Sequence, residues 1–247
     1  MKFLTSIACS FMLATPAIAD ISLDFSKLPS EQGWVYQAHG NSASESSVFS
    51  LDNGKLVQNS VGVGFSAQGS NRYDLLNALT PGQSYLVEFR AQLIHEDRPG
   101  WTAMYHWGMS AGYFDGQGGG FGIGIGQGIV ETPWQSYAID TSVEHTYKIL
   151  GVSATESTGP SQTLWIDGQL IGTGNAFQYK SCGDLGSYCN SLFIGDGTGG
   201  PNANAVYSTF TVNAVPEPET YAMLLAGLGL LGLTHRRNSL CASAKHH

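Results

Sequence analysis

The stretch QTLWIDGQLI, residues Gln162–Ile171, decides the fold of this chain. Two apolar runs within it flank the dipeptide Asp167-Gly168. An Asp-Gly pair between such runs is typical of a two-residue β-hairpin turn, because glycine readily takes a positive φ. The pattern therefore predicts an antiparallel hairpin. By the same argument, Asn53-Gly54 between two apolar runs predicts a second one.

Alternation of apolar and polar residues predicts a strand over Ser84–Ala91. Glu88 and Arg90 share its polar face. Its apolar face carries Tyr85, Val87, Phe89 and Ala91. A less regular pattern predicts another strand over Thr146–Val152.

Two further segments have weaker patterns. A strand is predicted over Ala205–Ala214, with Ser208 on the same face as its apolar residues. Those apolar residues are Val206, Phe210, Val212 and Ala214. A short helix is predicted near Tyr73–Leu79, because Thr80-Pro81-Gly82 follows as a stop signal.

The composition agrees with a β-rich domain and excludes several classes of protein. The chain has 247 residues, of which 32 are glycine and only 12% are charged. These values argue against helical bundles and coiled coils, which are rich in Ala, Glu, Lys and Leu. A formal net charge of −8 argues against nucleic-acid binding, which needs a concentrated basic face. Many short strands with glycine-rich turns predict an all-β sandwich or barrel.

The N-terminus has the parts of a secretory signal peptide. Lys2 precedes a short apolar run, and Ala17-Ile18-Ala19 follows as a small-residue cleavage site. The apolar run is too short to span a bilayer permanently. We therefore predict export through the Sec machinery, removal of residues 1–19, and one β-sandwich domain over residues 20–214.

The C-terminus combines a proline-rich motif, a short apolar segment and a basic pair. Pro216-Glu217-Pro218 precedes the apolar residues 221–233, and Arg236-Arg237 follows them. This order resembles the PEP-CTERM sorting signal, here over residues 215–237. The resemblance implies a short, transiently inserted transmembrane helix, processing by an exosortase, and a cell-surface or extracellular destination linked to biofilm matrix. The tail of residues 238–247 extends beyond the usual end of such signals.

Three stretches resemble the laminin-G and concanavalin A-like superfamily. They are QTLWIDGQLI, SLFIGDG at Ser191–Gly197, and the opening DFSKLPSEQGW at Asp24–Trp34. The resemblance implies a concanavalin A-like antiparallel jelly-roll sandwich. That fold hosts lectins, glycosidases and adhesion modules alike, so the resemblance leaves the chemistry open.

The carboxylate pattern predicts that the chain is not an enzyme and has no catalytic residues. Laminarinase-type relatives carry a Glu-x-Asp-x-Glu strand, and no Glu in this chain has an Asp two residues later. The adjacent Glu96 and Asp97 are predicted to lie in a solvated loop. The G-x-S-x-G match at Gly108–Gly112 is interpreted as chance, because the glycine-rich residues after it cannot open a helix.

A concentration of aromatic residues supplies the candidate ligand-binding site. Aromatic faces combined with hydrogen-bonding groups are suited to sugars. The candidates are Trp101, Tyr105, Trp107, Tyr113 and Asp115. Core packing is the alternative for most of these rings. A neighbouring run of alternating glycines, from Gly122 to Gly128, predicts a flat strand that admits either a ligand or another backbone.

Two further features concern metals and thiols. Asp196 and Asn202 offer oxygen ligands in flexible loops, which Ca²⁺ prefers, with ordinary turn chemistry as the alternative. Cys182 and Cys189 form an even pair in an exported chain and predict a disulfide.

These observations favour one function and leave two alternatives. The favoured function is an exported, non-catalytic module that binds extracellular polysaccharide or associates with the matrix. The first alternative is a glycan-active hydrolase or lyase, with Asp115, Glu131 and His106 as candidate residues. The second is a structural adhesion or biofilm protein without a small ligand.

Overall fold

The two predicted hairpins form the opposite edges of a single sheet. In the computed structural model, Asn53 and Asp167 have φ values of 49° and 50°, and the glycines after them are also positive. Both turns therefore have the backbone that Asn-Gly and Asp-Gly favour. The structure describes residues 20–38, 41–63, 71–80, 83–98, 108–114, 119–152, 160–178, 190–197 and 201–215, with residues 225, 226 and 228.

The described strands, numbered in chain order, form two antiparallel sheets. Sheet A consists of β1 Asp20–Ser22, β3 Phe49–Asp52, β4 Lys55–Asn59, β6 Ser84–Glu96, β11 His145–Val152, β12 Ser161–Ile166, β13 Gln169–Asn175 and β16 Ala203–Val215. Sheet B consists of β2 Val35–Ala38, β5 Asn71–Leu76, β7 Met109–Phe114, β8 Gly119–Gly126, β9 Ile129–Glu131, β10 Ser136–Ala138, β14 Phe177–Gln178 and β15 Ser191–Asp196. A 3₁₀ turn at Pro29–Gln32 and the single-turn helix α1 at Glu45–Val48 complete the described elements of residues 20–215.

The chain crosses repeatedly between the sheets. The order is β13-β12-β11-β6-β16-β4-β3 in sheet A and β10-β9-β8-β7-β15-β5-β2 in sheet B. Successive strands β4, β5, β6 and β7 alternate between the sheets, as do β15 and β16. Antiparallel strands that exchange sheets in this way make a jelly-roll sandwich. The predicted all-β class and two-sheet architecture are therefore confirmed.

Strand β6 shows how the sequence pattern builds the core. Tyr85, Val87, Phe89 and Ala91 are at most 1% exposed. Phe89 stacks on Tyr147 of β11 at a centroid distance of 5.2 Å and also contacts Phe210 of β16 at 6.3 Å. Because β6 lies between β11 and β16, its inward face is the centre of the apolar core.

The helix predicted near Tyr73–Leu79 is wrong. Residues 71–76 form β5, which pairs with β15 on one side and with β2 on the other. Its first four residues are buried, although Arg72 and Asp74 are charged. Burial on both faces removes the alternation that marks a strand in sequence.

The face assignment within the last strand is wrong for Val206 and Ser208. The pairing of β16 with β6 shifts between Tyr207 and Thr209. The bulge turns Tyr207 into the core and leaves Val206 half-buried on the other face. The Ser208 hydroxyl, at the bulge, donates to Glu144 on the outer side of sheet A. A bulge changes the face of every residue on one side of it, so regular alternation cannot predict it.

The side chain of Gln162 completes the pairing of β8. Its amide nitrogen donates to the Gly122 carbonyl at 2.8 Å, and its amide oxygen accepts from the Gly122 N–H at 2.7 Å. Gln162 belongs to sheet A, and Gly122 belongs to sheet B. The carboxamide therefore joins the two sheets where both backbone groups of Gly122 need a partner.

Replacing Gly151 by alanine is expected to lower the free energy of unfolding by about 1–3 kcal/mol. A Cβ at Gly151 would lie 2.0 Å from Cδ1 of Phe121, so the ring must move within a packed core. In a Gly151→Ala/Phe121→Leu double variant, the smaller leucine leaves room for the new methyl group, so part of this loss should be recovered. Urea denaturation measures both, and wild-type stability of Gly151→Ala would contradict the tight contact.

Part of the C-terminal segment is helical. Leu225, Ala226 and Leu228 have helical backbone, and both leucines are exposed. Within the described residues, none of the helices has the length and apolar character needed to cross a membrane.

Candidate functional site

The outer face of sheet B, directed away from sheet A, combines charged, aromatic and glycine residues. Cross-strand pairing arranges it in rows. One row contains Val35, Asp74, Phe193, Gly112 and Gly122. The rows on either side contain Gln37, Arg72, Gly195, Ser110, Gly124 and Glu131, and Leu76, Ser191, Phe114, Gly120 and Phe177. We call this surface the outer B face.

Two phenylalanine rings lie on glycines of the outer B face. Phe114 and Phe193 stack with centroids 5.0 Å apart and an interplanar angle of 18°. A Cβ at Gly112 would lie 2.8 Å from Cζ of Phe193, and one at Gly120 would lie 3.1 Å from Cδ1 of Phe114. Gly112 of β7 and Gly120 of β8 therefore admit the two rings. Within the predicted glycine run, a Cβ at Gly122 would meet backbone atoms of Ala111 and Gly112, which is the close backbone neighbour that the run predicted as one of two alternatives.

Arg72 and Asp74 form a buried ion pair on the same face of β5. Nε of Arg72 lies 3.0 Å from Oδ2 of Asp74, and the two side chains are 5% and 0% exposed. The guanidinium carbon lies 4.7 Å from the ring centroid of Phe193 and 5.7 Å from that of Phe114. Cation–π contacts with both rings therefore stabilise the buried guanidinium.

Among the residues that the structure describes, the second oxygen of the same carboxylate has no hydrogen-bond partner. Asp74 Oδ1 is a buried acceptor without a donor. An unsatisfied buried acceptor costs roughly 1–3 kcal/mol, and more when the group is charged. By contrast, the buried hydroxyl of Ser110 on the same face is satisfied, since it donates to the Gly195 carbonyl at 2.8 Å. The open acceptor is therefore a distinctive feature of this face.

The outer B face becomes exposed immediately beside Asp74. Val35, its cross-strand partner on β2, is 43% exposed. Leu76, two residues along β5 on the same face, is 40% exposed. Phe114 and Phe177 are half-buried, with centroids 6.5 Å apart. The buried carboxylate thus adjoins surface on the side of the β2 edge.

The described carboxylates of the outer B face are too far apart for glycoside hydrolysis. Asp74 lies on β5 and Glu131 on β9, four strands away in sheet B. At a strand spacing of about 4.8 Å, the two positions are about 19 Å apart along the sheet. Retaining glycosidases need carboxyl groups about 5–5.5 Å apart, and inverting ones about 6.5–9.5 Å.

Most of the predicted ligand-binding residues lie outside the described residues. These are Trp101, Tyr105, Trp107 and Asp115, together with His106. Tyr113 is described and lies in the core at 2% exposure, where its hydroxyl donates to Asn190 Oδ1 at 3.0 Å. The core-packing alternative therefore describes Tyr113.

The strand ends bring some predicted residues together and separate others. Strand β6 ends at Glu96 and β16 begins at Ala203, and the hydrogen bonds between Asp97 and Asn202 continue the pairing of these two strands by one residue. Asp115 follows the opposite end of β7.

The candidate Ca²⁺ ligands have protein partners of their own. Asn202 donates through its backbone N–H and its Nδ2 to the two oxygens of Asp97, both at 2.9 Å. Asp196 is fully buried at the end of β15. Burial, with the negative charges of Glu45 and Asp196, raises the pKa of Tyr36 to about 12. Among the described residues, no group of three or more His, Cys, Asp or Glu side chains is placed to hold a metal ion.

The predicted solvated loop at Glu96-Asp97 is wrong for Glu96. Glu96 is the last residue of β6 and is 1% exposed. Its Oε2 accepts from the Gln127 N–H at 2.8 Å, which ties it to the β8–β9 turn. Asp97 begins the following bend, and its carboxylate accepts hydrogen bonds from Asn202. Both carboxylates are structural, because backbone N–H groups satisfy them.

The G-x-S-x-G match has no nucleophile geometry. Gly108 to Gly112 runs into β7, and Ser110 lies within that strand at 0% exposure. A nucleophile elbow needs an exposed serine at a strand-to-helix turn. The interpretation of this match as chance is confirmed.

The predicted disulfide and the sorting residues lie outside the described part of the chain. This applies to Cys182 and Cys189, and to Pro216, Glu217, Pro218, Arg236 and Arg237. The Cys182–Cys189 pairing stays a prediction.

The His145 side chain makes two hydrogen bonds at the start of β11, in sheet A. Nδ1 lies 2.6 Å from Asp167 Oδ2, and Nε2 lies 2.8 Å from the Asp140 carbonyl oxygen. Both partners are acceptors, so only the doubly protonated ring donates both hydrogen bonds. Burial acts to lower the pKa of His145, but these hydrogen bonds and the Asp167 and Asp140 carboxylates outweigh it and raise the pKa above its ordinary value.

Between pH 6 and pH 8.5, the free energy of unfolding of the wild type is expected to fall by more than that of a His145→Gln variant. A raised folded-state pKa gives stabilisation that is full below the unfolded pKa of about 6.5 and is lost as pH rises through the folded value. The pKa of Asp167 is lowered despite burial, so its own contribution is lost only in acid. Urea midpoints at the two pH values measure the difference. Equal losses of stability in both proteins would contradict the stabilising role of the protonated His145 ring.

Sequence comparison identifies the C-terminal segment. Residues 214–237 match the PEP-CTERM protein-sorting motif. The predicted sorting signal is confirmed. The motif implies export and exosortase-mediated processing. No curated protein matches the chain.

Several solved structures have a similar architecture. A protein of unknown function from Shewanella oneidensis MR-1 is 16% identical, with a TM-score of 0.47 over 79% of this chain and 85% of its own. An endo-1,3-β-glucanase from Streptomyces sioyaensis is 16% identical, with a TM-score of 0.46 over 83% and 99%. Arcelin-5, a lectin-like defense protein from Phaseolus vulgaris, is 8% identical, with a TM-score of 0.44 over 81% and 100%. These are likenesses of general architecture, and the activities belong to those proteins.

Proposed function

We propose that this chain is an exported, exosortase-processed protein that binds extracellular polysaccharide without cleaving it. The outer B face carries the proposal, because it places stacked aromatic rings and a buried carboxylate beside exposed surface. Saccharide sites use rings against C–H faces and a few placed polar groups to fix orientation. The PEP-CTERM motif supplies the extracellular destination.

The spacing of carboxylates supports binding over hydrolysis. Within the described residues of the outer B face, Asp74 and Glu131 are the carboxylates, and they are four strands apart. The two-carboxylate mechanism needs both groups at one glycosidic bond. A binding surface has no such requirement.

Retention on immobilised polysaccharide tests this proposal. The mature exported chain is passed over laminarin, which is neutral, and over alginate, which is acidic, with and without EDTA. We expect retention on at least one column and no new reducing ends after prolonged incubation with the soluble polymer. Reducing ends would establish the hydrolase alternative. Passage through both columns would favour a structural matrix protein and contradict the proposal.

A further inference from the structure

We propose that one end of the sandwich lies against the lipid bilayer until the sorting segment is removed, with Leu76 and Val152 in contact with lipid. This is the end at which β1 begins and β16 ends, at Asp20 and Val215, and we call it the anchor end. The inference goes beyond the proposed function and shares with it only the sorting of the chain by its PEP-CTERM motif. The contact belongs to the anchored state, so it leaves the outer B face of the released domain free.

The two predicted membrane-directed segments are attached to the anchor end. Asp20 is the first residue after the predicted signal peptide, and it pairs with Asn213 of β16. Val215, two residues after Asn213, ends β16 and pairs with Ser84 of β6. The Pro-Glu-Pro motif begins at the next residue. The signal peptide and the apolar segment of residues 221–233 therefore join the domain at the same end.

The connection to the apolar segment is short compared with the length of the sandwich. Residues 216–220 separate Val215 from that segment, and five residues span at most about 18 Å. Ile94 lies ten residues after Ser84 on β6, which is about 33 Å along the strand. With the segment in the bilayer, the membrane can contact the anchor end or a side of the sandwich, but the opposite end cannot face it.

The anchor end presents an exposed apolar side chain from each sheet. Leu76 ends β5 and is 40% exposed, and Val152 ends β11 and is 37% exposed. The hydroxyl of Tyr85 accepts from the Thr80 N–H at 2.7 Å, which joins β6 to the segment that follows Leu76. Tyr85 also pairs with Gly151, the residue before Val152. Leu76 of sheet B and Val152 of sheet A therefore lie at the same end.

The charges favour contact through the anchor end over contact through a side. The outer face of sheet A carries Glu88, Arg90 and Lys148, and the outer B face carries Glu131. Removing such charges from water is costly. The terminal residues of β5, β6, β11 and β16 at the anchor end are uncharged, and removal of the signal peptide gives Asp20 an α-amino group that offsets its carboxylate. Because the short connection makes the contact intramolecular, a weak apolar contact is sufficient.

Broadening of methyl signals by a paramagnetic lipid tests the orientation without a variant. The chain of residues 20–247 is labelled at Ile, Leu and Val methyl groups and reconstituted in nanodiscs of phosphatidylethanolamine and phosphatidylglycerol, with and without a gadolinium-chelating lipid. We expect the signals of Leu76 and Val152 to be lost, and those of Ile94 and Ile125 near the opposite end of each sheet to be retained.

The other outcomes contradict the proposal in different ways. Retention of all four signals would overturn it. Loss of all four would also overturn it, because the domain would then lie on a side or have no fixed orientation. A chain that does not enter nanodiscs would overturn the anchored state itself. None of these results bears on the laminarin columns used for the processed chain, so the two proposals fail separately.

A double variant separates lipid contact from mere attachment. In Leu76→Glu/Val152→Glu both apolar contacts are replaced by carboxylates, so we expect the domain to move independently of the disc and the signal of the core residue Ile125 to sharpen in the absence of gadolinium. Ile94→Glu, near the opposite end and 49% exposed in the wild type, is the matched control and should keep the wild-type line width. Equal line widths of the wild type and the double variant would overturn the contact of these two side chains.

Discussion

Replacing Phe89 by alanine is expected to lower the free energy of unfolding by about 3–5 kcal/mol, enough to unfold a large fraction of a marginally stable domain. Phe89 is fully buried at the centre of β6 and packs on Tyr147, Tyr207 and Phe210. Its removal leaves a cavity bordered by both neighbouring strands of sheet A, and rings cannot collapse fully to fill it.

Leu86→Ala on the same strand is the matched control. Leu86 lies on the outer face of sheet A and is half-buried, so its truncation should cost less than about 1.5 kcal/mol. Urea denaturation followed by tryptophan fluorescence measures both variants. Equal losses would contradict the assignment of the two faces of β6.

Replacing Arg72 by leucine is expected to cost about 3–5 kcal/mol, because Asp74 is then left as an uncompensated buried charge. The side chain of Asp74 is 0% exposed, and Arg72 Nε is its described partner. In the double variant Arg72→Leu/Asp74→Leu no charge remains buried at this position. We expect the double variant to be more stable than the single variant by about 2 kcal/mol or more.

The double-mutant cycle for this pair is measured by chemical denaturation at pH 7. A strong positive coupling between the two sites is the expected result. A single and a double variant of equal stability would show that the guanidinium contributes through its contacts with Phe193 and Phe114 and not through the charge of Asp74.

Particular residues show how far the sequence predicts this fold. The alternation of Tyr85, Val87 and Phe89 predicted β6, because that strand has one buried and one accessible face. Asp167-Gly168 predicted its hairpin, because two successive positive φ values need those residue types. These signals are local. They survive in any tertiary context.

The candidate site was not predicted, because its signal is not local. Residues 71–74 are buried on both faces of their strand, so the sequence shows no alternation there and favours a helix instead. Once β5 is recognised, Arg72 and Asp74 fall two residues apart and therefore on one face. A charged pair at that spacing inside a buried strand is the signal that was available. The aromatic residues 101–107 were predicted from composition alone and lie outside the described residues.

The central claim is that the outer B face binds polysaccharide without cleaving it, and one measurement tests it most directly. The mature exported chain is titrated with laminarin in a calorimeter, and reducing ends are assayed in the same sample afterwards. The account predicts saturable binding that EDTA does not abolish, with no reducing ends above the buffer control. Release of reducing ends, or the absence of binding heat at any polymer concentration, would contradict it.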